Sequence, residues 1–144
     1  MNRTPAPAGG TPPISDLDVL LRTLEPVLQE GVYVYTQLPH GSDVAPVDAV
    51  ALVREREGVT LIVREEEARR HDLPVLFRAA WITLTVHSDL EAVGLTAAFA
   101  RALAEASIGC NVIAGAYHDH VFVPVEQAQR ALTALRALQN PSGR

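Results

Sequence analysis

The sequence predicts an α+β protein in which antiparallel sheets are covered by helices on one face, and three features of its patterning predict it. Several short segments alternate apolar and polar residues with a period of two, as half-buried strands do. Others carry leucine and alanine stripes at helical spacing. The third is an internal echo. Leu61–Arg70 (L-I-V-R-E-E-E-A-R-R) aligns without gaps on Val121–Arg130 (V-F-V-P-V-E-Q-A-Q-R), sixty residues later, so that Glu66, Ala68 and Arg70 fall on Glu126, Ala128 and Arg130. A hairpin signal precedes each copy, which suggests two related units.

Along the chain, Met1–Pro13 is rich in Pro and Gly with nothing to bury, and residues 1–14 read as a disordered tail. Ser15 followed by Asp18 is a capping-box pattern, and Leu17, Leu20, Leu21, Leu24 and Leu28 form one helical stripe. Pro26 lies inside that stripe and should bend or loosen the last turn, with Gly31 just past the end. Val32–Leu38 alternates as a strand with Tyr33 and Tyr35 on one face, and Pro39–Pro46 reads as a loop. Ala49–Arg56 and Val59–Val63 meet as strands across Glu57-Gly58, and Glu65–His71 is a short charged helix.

Trp81–His87 alternates again, and Ser88 with Glu91 repeats the capping-box pattern, which predicts a helix from Ser88 to about Ala106 closed by Gly109. Its inward residues would be Leu95, Phe99, Ala102, Leu103 and Ala106. Cys110–Tyr117 and His120–Val123 form a hairpin around His118-Asp119. Ala128, Ala131, Leu132, Leu135 and Leu138 give the last helix its stripe before a frayed end at 140–144. The organisation expected is a first unit at 15–75, permuted or strand-exchanged, and a second at 76–139. The strand face of Trp81, Thr83, Thr85 and His87 needs cover, from the other unit, from a second chain or from within its own unit.

A chain of 144 residues, 48% apolar, suffices for one compact domain or two small intertwined ones. Seventeen acidic against twelve basic residues leave a net charge of −5, and every fixed cation is an arginine. Without a basic run, nucleic acid is not an expected partner. The single Cys110 excludes an intramolecular disulfide and a cysteine-rich metal site, and its apolar surroundings suit a small core residue. No apolar stretch reaches membrane-spanning length and the N-terminus lacks an apolar signal region, so a cytoplasmic protein with no membrane partner is expected.

The segments S-D-L-E-A-V-G-L (Ser88–Leu95), C-N-V-I-A-G-A-Y (Cys110–Tyr117) and H-D-H-V-F-V-P (His118–Pro124) resemble, in this order, the ACT domain. More closely, the chain is similar to small bacterial proteins with two ACT-like units, over roughly residues 16–138. The first unit departs from the simple plan by opening with its helix. The resemblance implies ferredoxin-like, ACT-type sandwiches and a regulatory, ligand-sensing module without catalysis or cofactor. It implies an amino-acid ligand held between two units, a homo-oligomer, and an output protein on another chain. By position it points to His87, Ser88, Asp89, Leu90, Val93 and Gly94 on the loop and first turn, to Asn111, Val112 and Ile113 on the adjoining strand, and to Asp119 in the hairpin turn.

The chemistry of these residues suits that role. Backbone N–H groups after Ser88 would receive a carboxylate at a helix start, and Gly94 would admit a ligand or a second backbone. Asn111 offers a donor and an acceptor, and Asp119 would pair with an ammonium. Asp89 opposes an incoming carboxylate. Each has a structural alternative: Gly94 relieving helix packing, Asn111 capping a strand, Asp119 shaping a turn. Two other functions stay open. One is a pure interaction module with a vestigial cleft; the other is a metal-dependent enzyme using His118 and His120, with His87 as third ligand.

Overall fold

A computed structural model describes residues 16–140; the predicted tail, the Ser15 cap and nearly all of the frayed end lie outside them. The order is α1 (Leu17–Thr23), β1 (Pro26–Leu28), β2 (Tyr33–Pro39), β3 (Ala49–Arg54), β4 (Gly58–Arg64), α2 (Glu65–Arg70), β5 (Phe77–Leu84), α3 (Leu95–Glu105), β6 (Asn111–Ala114), β7 (Asp119–Pro124) and α4 (Ala128–Arg136). Short 3₁₀ turns at Val125–Gln127 and Ala137–Gln139 flank α4. The fold is α+β, with one antiparallel sheet ordered β3-β4-β2-β5-β7-β6 and β1 also paired with β5.

The first helix is shorter than its leucine stripe suggests. Asp16 caps it, accepting from Val19 N–H at 3.1 Å, and it stops at Thr23. Pro26 explains the stop: it brings no N–H and pushes the residue before it out of the helical region. Pro26 begins β1 instead, opposite Leu84, so Leu28 belongs to a strand. Strands β1 and β2 lie along the same side of β5, interrupted at Gln29–Val32, where Gly31 takes φ 98°. Beyond Tyr35 only β4 accompanies β2. Thus β5 joins the halves, with β1 and β2 on one side and β7 on the other.

Side chains alternate along β5. Ala80, Ile82 and Leu84 point to the helical face, where they meet Leu20 of α1 and Leu24 just past its end, Phe99 and Leu103 of α3, Val121 and Val123 of β7, and Leu135 of α4. The amino-terminal helix therefore packs in the core of the second half. Its end is tied there too, by Gln139 Nε2 donating to Leu24 O. Removing one such leucine from water contributes about 1.5–3 kcal/mol. A smaller core of Val34, Val59, Leu61, Val63 and Ala68 lies under α2.

The opposite face of β5 carries Phe77, Ala79, Trp81 and Thr83. Trp81 meets Tyr33 edge-on at 5.1 Å and stacks near Phe122 at 5.9 Å, while Tyr35 is edge-on to both Phe77 and Phe122. Residues of both halves thus cover Trp81. The small Ala79, fully buried, lies opposite Tyr33 and leaves room for these rings.

Candidate functional site

The candidate site is the passage from β5 to α3, together with the hairpin between β6 and β7. Here the structure corrects the capping-box reading. Leu84 ends the strand; Val86 N–H then donates to Leu84 O at 2.8 Å and Ser88 N–H to Val86 O at 2.9 Å. Glu91 N–H bonds the Asp89 side chain at 2.9 Å and Ala92 N–H the Asp89 carbonyl at 2.9 Å, a local turn rather than a first helical turn. The helix begins at Leu95, behind Gly94 at φ 101°. Two of the N–H groups after Ser88 that a carboxylate would need, those of Glu91 and Ala92, already have intramolecular acceptors.

Gly94 is explained by packing. A Cβ there would sit 2.9 Å from Leu17 Cδ2, so α1 uses the space that a ligand was expected to use. At its far end α3 closes on Ser107 (φ 60°), not on Gly109. Ile108 N–H returns to Leu103 O and Ser107 N–H to Ala104 O, both at 2.9 Å, the Schellman arrangement.

Asp119 and Ser88 do come together. Both are buried, and Ser88 Oγ lies 3.4 Å from Asp119 Oδ2. Burial pushes the Asp119 carboxyl above its ordinary range, against smaller opposing effects of the Ser88 hydroxyl and of His120 and His118. His118 Nδ1 faces Val86 O at 3.4 Å, and the His87 ring lies 5.4 Å from that of Tyr117. Leu90 and Val93 project outward with 67% and 84% of their surface exposed.

The other expected residues separate. Asn111 is exposed at the start of β6, opposite Phe122, whereas Asp119 faces Ala114; three residues along a strand is about 10 Å. Val112 packs against the helical core, while Ile113 joins the aromatic face. The two histidines flanking Asp119 take different partners. His120 Nδ1 accepts from Trp81 Nε1–H at 3.1 Å and lies 3.1 Å from Thr83 Oγ1, which itself accepts from Gln29 Nε2 at 3.0 Å. Because β7 starts only at Asp119, His118 belongs to the turn and the strand alternation that would align the two rings does not reach it. Among the described residues no group of three or more His, Cys, Asp or Glu is arranged to hold a metal. Burial also raises the Cys110 thiol pKa, which keeps it away from the reactive thiolate form.

Sequence reasoning missed the Gln29–Thr83–His120–Trp81 chain, because it is assembled from β5, β7 and the segment after β1. The one local signal was His120 placed two residues from Phe122 on an alternating strand.

Two family profiles, each described as ACT domain, match residues 12–80 and 77–137. Among solved structures, a Vibrio cholerae protein of unknown function, described as a possible transport protein, is 46% identical with a TM-score of 0.78. The match covers 86% of this chain and 96% of that one. An Agrobacterium tumefaciens protein is 15% identical, with a TM-score of 0.65 and coverage of 81% and 89%. The regulatory subunit of aspartate kinase from Thermus thermophilus is 11% identical, with a TM-score of 0.63 and coverage of 82% and 97%. At such identities the last two likenesses concern the fold. No curated protein matches the chain.

Proposed function

Because this chain belongs to the ACT domain family and carries two ACT domains in tandem, we propose that it is a non-catalytic regulatory protein that binds a small amine-bearing ligand, an amino acid. The ligand's ammonium pairs with Asp119, and the loop from His87 to Val93 closes over it. The observation carrying this reading is the buried Asp119 carboxylate, whose Ser88 hydroxyl neighbour stands at a long 3.4 Å. A buried carboxylate without a close cation is unfavourable unless it takes up a proton or a cation, and an ammonium supplies a charge-assisted bond. In this reading the ligand's carboxylate is not held by a helix start.

The exposed Leu90 and Val93 support an assembly in which a second copy of the chain covers the loop. The units divide near residue 75, with α1 and β1 lent to the second. A cytoplasmic location is part of the same proposal; among the described residues no helix is long and apolar enough to cross a membrane.

Thermal denaturation of the full chain with each of the twenty amino acids tests the reading. Ligand at a hundredfold over its Kd adds about 2.7 kcal/mol, a shift of several degrees. The expected result is a selective rise that Asp119→Asn abolishes and Asn111→Ala spares. If no amino acid raises the melting temperature, or the increment survives in Asp119→Asn, the sensor reading fails and a pure interaction module takes its place.

A further inference from the structure

At the opposite end of β5 from Asp119, the start of the strand and the end of α2 enclose an open groove of about 540 Å³. Such a volume lies within the roughly 300–1,000 Å³ usual for small-molecule sites. Leu84 pairs with Asp119 and Phe77 begins the strand; seven residues of strand separate the two regions by about 23 Å.

The groove is built on a rigid turn. Helix α2 closes with Asp72 at φ 49°, Leu73 N–H bonding Ala68 O at 2.8 Å and Asp72 N–H bonding Arg69 O at 3.3 Å. This Schellman closure fixes Leu73 and Val75 as an apolar wall. Two arginines line the same groove, and both use the same carboxylate. Arg78 donates to Glu65 through Nε to Oε2 at 2.6 Å and through Nη2 to Oε1 at 3.3 Å, and Arg69 Nη2 donates to Glu65 Oε1 at 2.8 Å. The Glu65 side chain is 13% exposed, whereas those of Arg69 and Arg78 are 73% and 50% exposed. Each arginine keeps N–H groups beyond those given to Glu65, since a guanidinium carries five. The lining carries two cations, Arg69 and Arg78, and two anions, Glu65 and Asp72, so it is neutral in sum, with the guanidinium N–H groups not given to Glu65 beside an apolar surface.

We propose that this groove is a second binding site, separate from the Asp119 region, for a small monoanionic aliphatic carboxylate. Its oxygens meet Arg69 and Arg78, and its hydrocarbon body lies on Leu73 and Val75. Arg78 gives its Nε–Nη2 fork to Glu65, and a planar carboxylate fits the Nη1–Nη2 edge that remains. A dianion such as phosphate fits less well, because Glu65 and Asp72 together already balance the two arginines and each repels a further negative charge.

Titration of the ¹⁵N-labelled full chain with isovalerate, followed by amide chemical shifts, is the test. Isovalerate should shift the amides between Ala68 and Arg78 saturably, and neutral isovaleramide should bind at least about tenfold more weakly, the loss of one charge-assisted bond. Arg69→Gln and Arg78→Gln should each weaken binding by about the same factor, while Asp119→Asn leaves it unchanged. Equal binding of isovaleramide, equal or tighter binding of inorganic phosphate, indifference to both arginine changes, or no saturable shift would each overturn the assignment. The proposal does not depend on the Asp119 reading, and Asp119→Asn keeps their failures distinct.

Discussion

The indole N–H of Trp81 donates to Nδ1 of His120 at 3.1 Å, so that nitrogen is an acceptor and the imidazole proton resides on Nε2. Thr83 completes the arrangement: its oxygen accepts from Gln29 and its hydroxyl hydrogen is left to point at the same Nδ1. Protonating His120 would set two N–H groups against each other.

Stability should follow from this. Burial holds the His120 pKa below its ordinary value of 6.5, with His118 acting in the same direction and Asp119 against it. A histidine depressed in the folded state contributes stability that is complete above about pH 6.5 and declines as pH falls toward the folded pKa, because the unfolded chain then binds more protons. Urea unfolding between about pH 5 and 8 should show this decline, and His120→Gln should flatten it. An unchanged pH profile in the variant would count against the acceptor role.

Asp119 has the opposite sign. Its carboxyl is raised by burial, so folding disfavours the ionised form and stability falls as pH rises from the ordinary carboxylate range through the folded pKa. Above that window Asp119→Asn should be at least as stable as the parent in the absence of ligand, measured by melting temperature at neutral pH. A large loss would mean the charge is satisfied by the protein itself.

Glycine replacements should rank by geometry. A Cβ at Gly58 would lie 2.5 Å from the Leu38 carbonyl oxygen, and backbone cannot easily yield. At Gly94 it would meet the flexible end of Leu17 at 2.9 Å while φ stays at 101°. At Gly109 it would meet nothing within 4 Å. Gly58→Ala should therefore cost most, Gly94→Ala about 1–2 kcal/mol, and Gly109→Ala close to nothing in chemical denaturation.

Two replacements should stabilise. Ser107 occupies a left-handed position that glycine takes without steric penalty, so Ser107→Gly should gain about 0.5–1 kcal/mol. Thr36 is fully buried and its hydroxyl oxygen has no hydrogen-bond partner. Thr36→Val keeps the shape and removes that polar group, a gain of about 1–2 kcal/mol in urea unfolding.

Leu20→Ala should lower stability by about 2–5 kcal/mol, as for a leucine in the main core. A loss under about 1 kcal/mol would show that α1 does not dock on the second half.

Local chemistry in the sequence was enough for much of this molecule. Alternation in Trp81–His87 gave a strand with Ile82 and Leu84 inward, which ends at Leu84. The two hairpins exist, although Gly58 and Asp119, read as turn residues, each begin a strand. The ACT resemblance rested on segments that fold together. Period and turn chemistry depend on near neighbours, which a sequence displays. Tertiary structure decided the rest. Ser88 and Glu91 carry a capping pattern, yet the helix waits until Leu95, behind a left-handed Gly94 that packs too closely on Leu17 to carry a Cβ. Leu28 keeps helical spacing with Leu24, yet pairs with Ile82 once Pro26 has ended the helix. The joining of α1 to the second core, the four-residue chain ending on His120, and the groove shared by Arg69 and Arg78 all depend on residues brought together from separate elements. Such pairings are chosen by how the whole sheet buries its faces, and no local pattern records that choice.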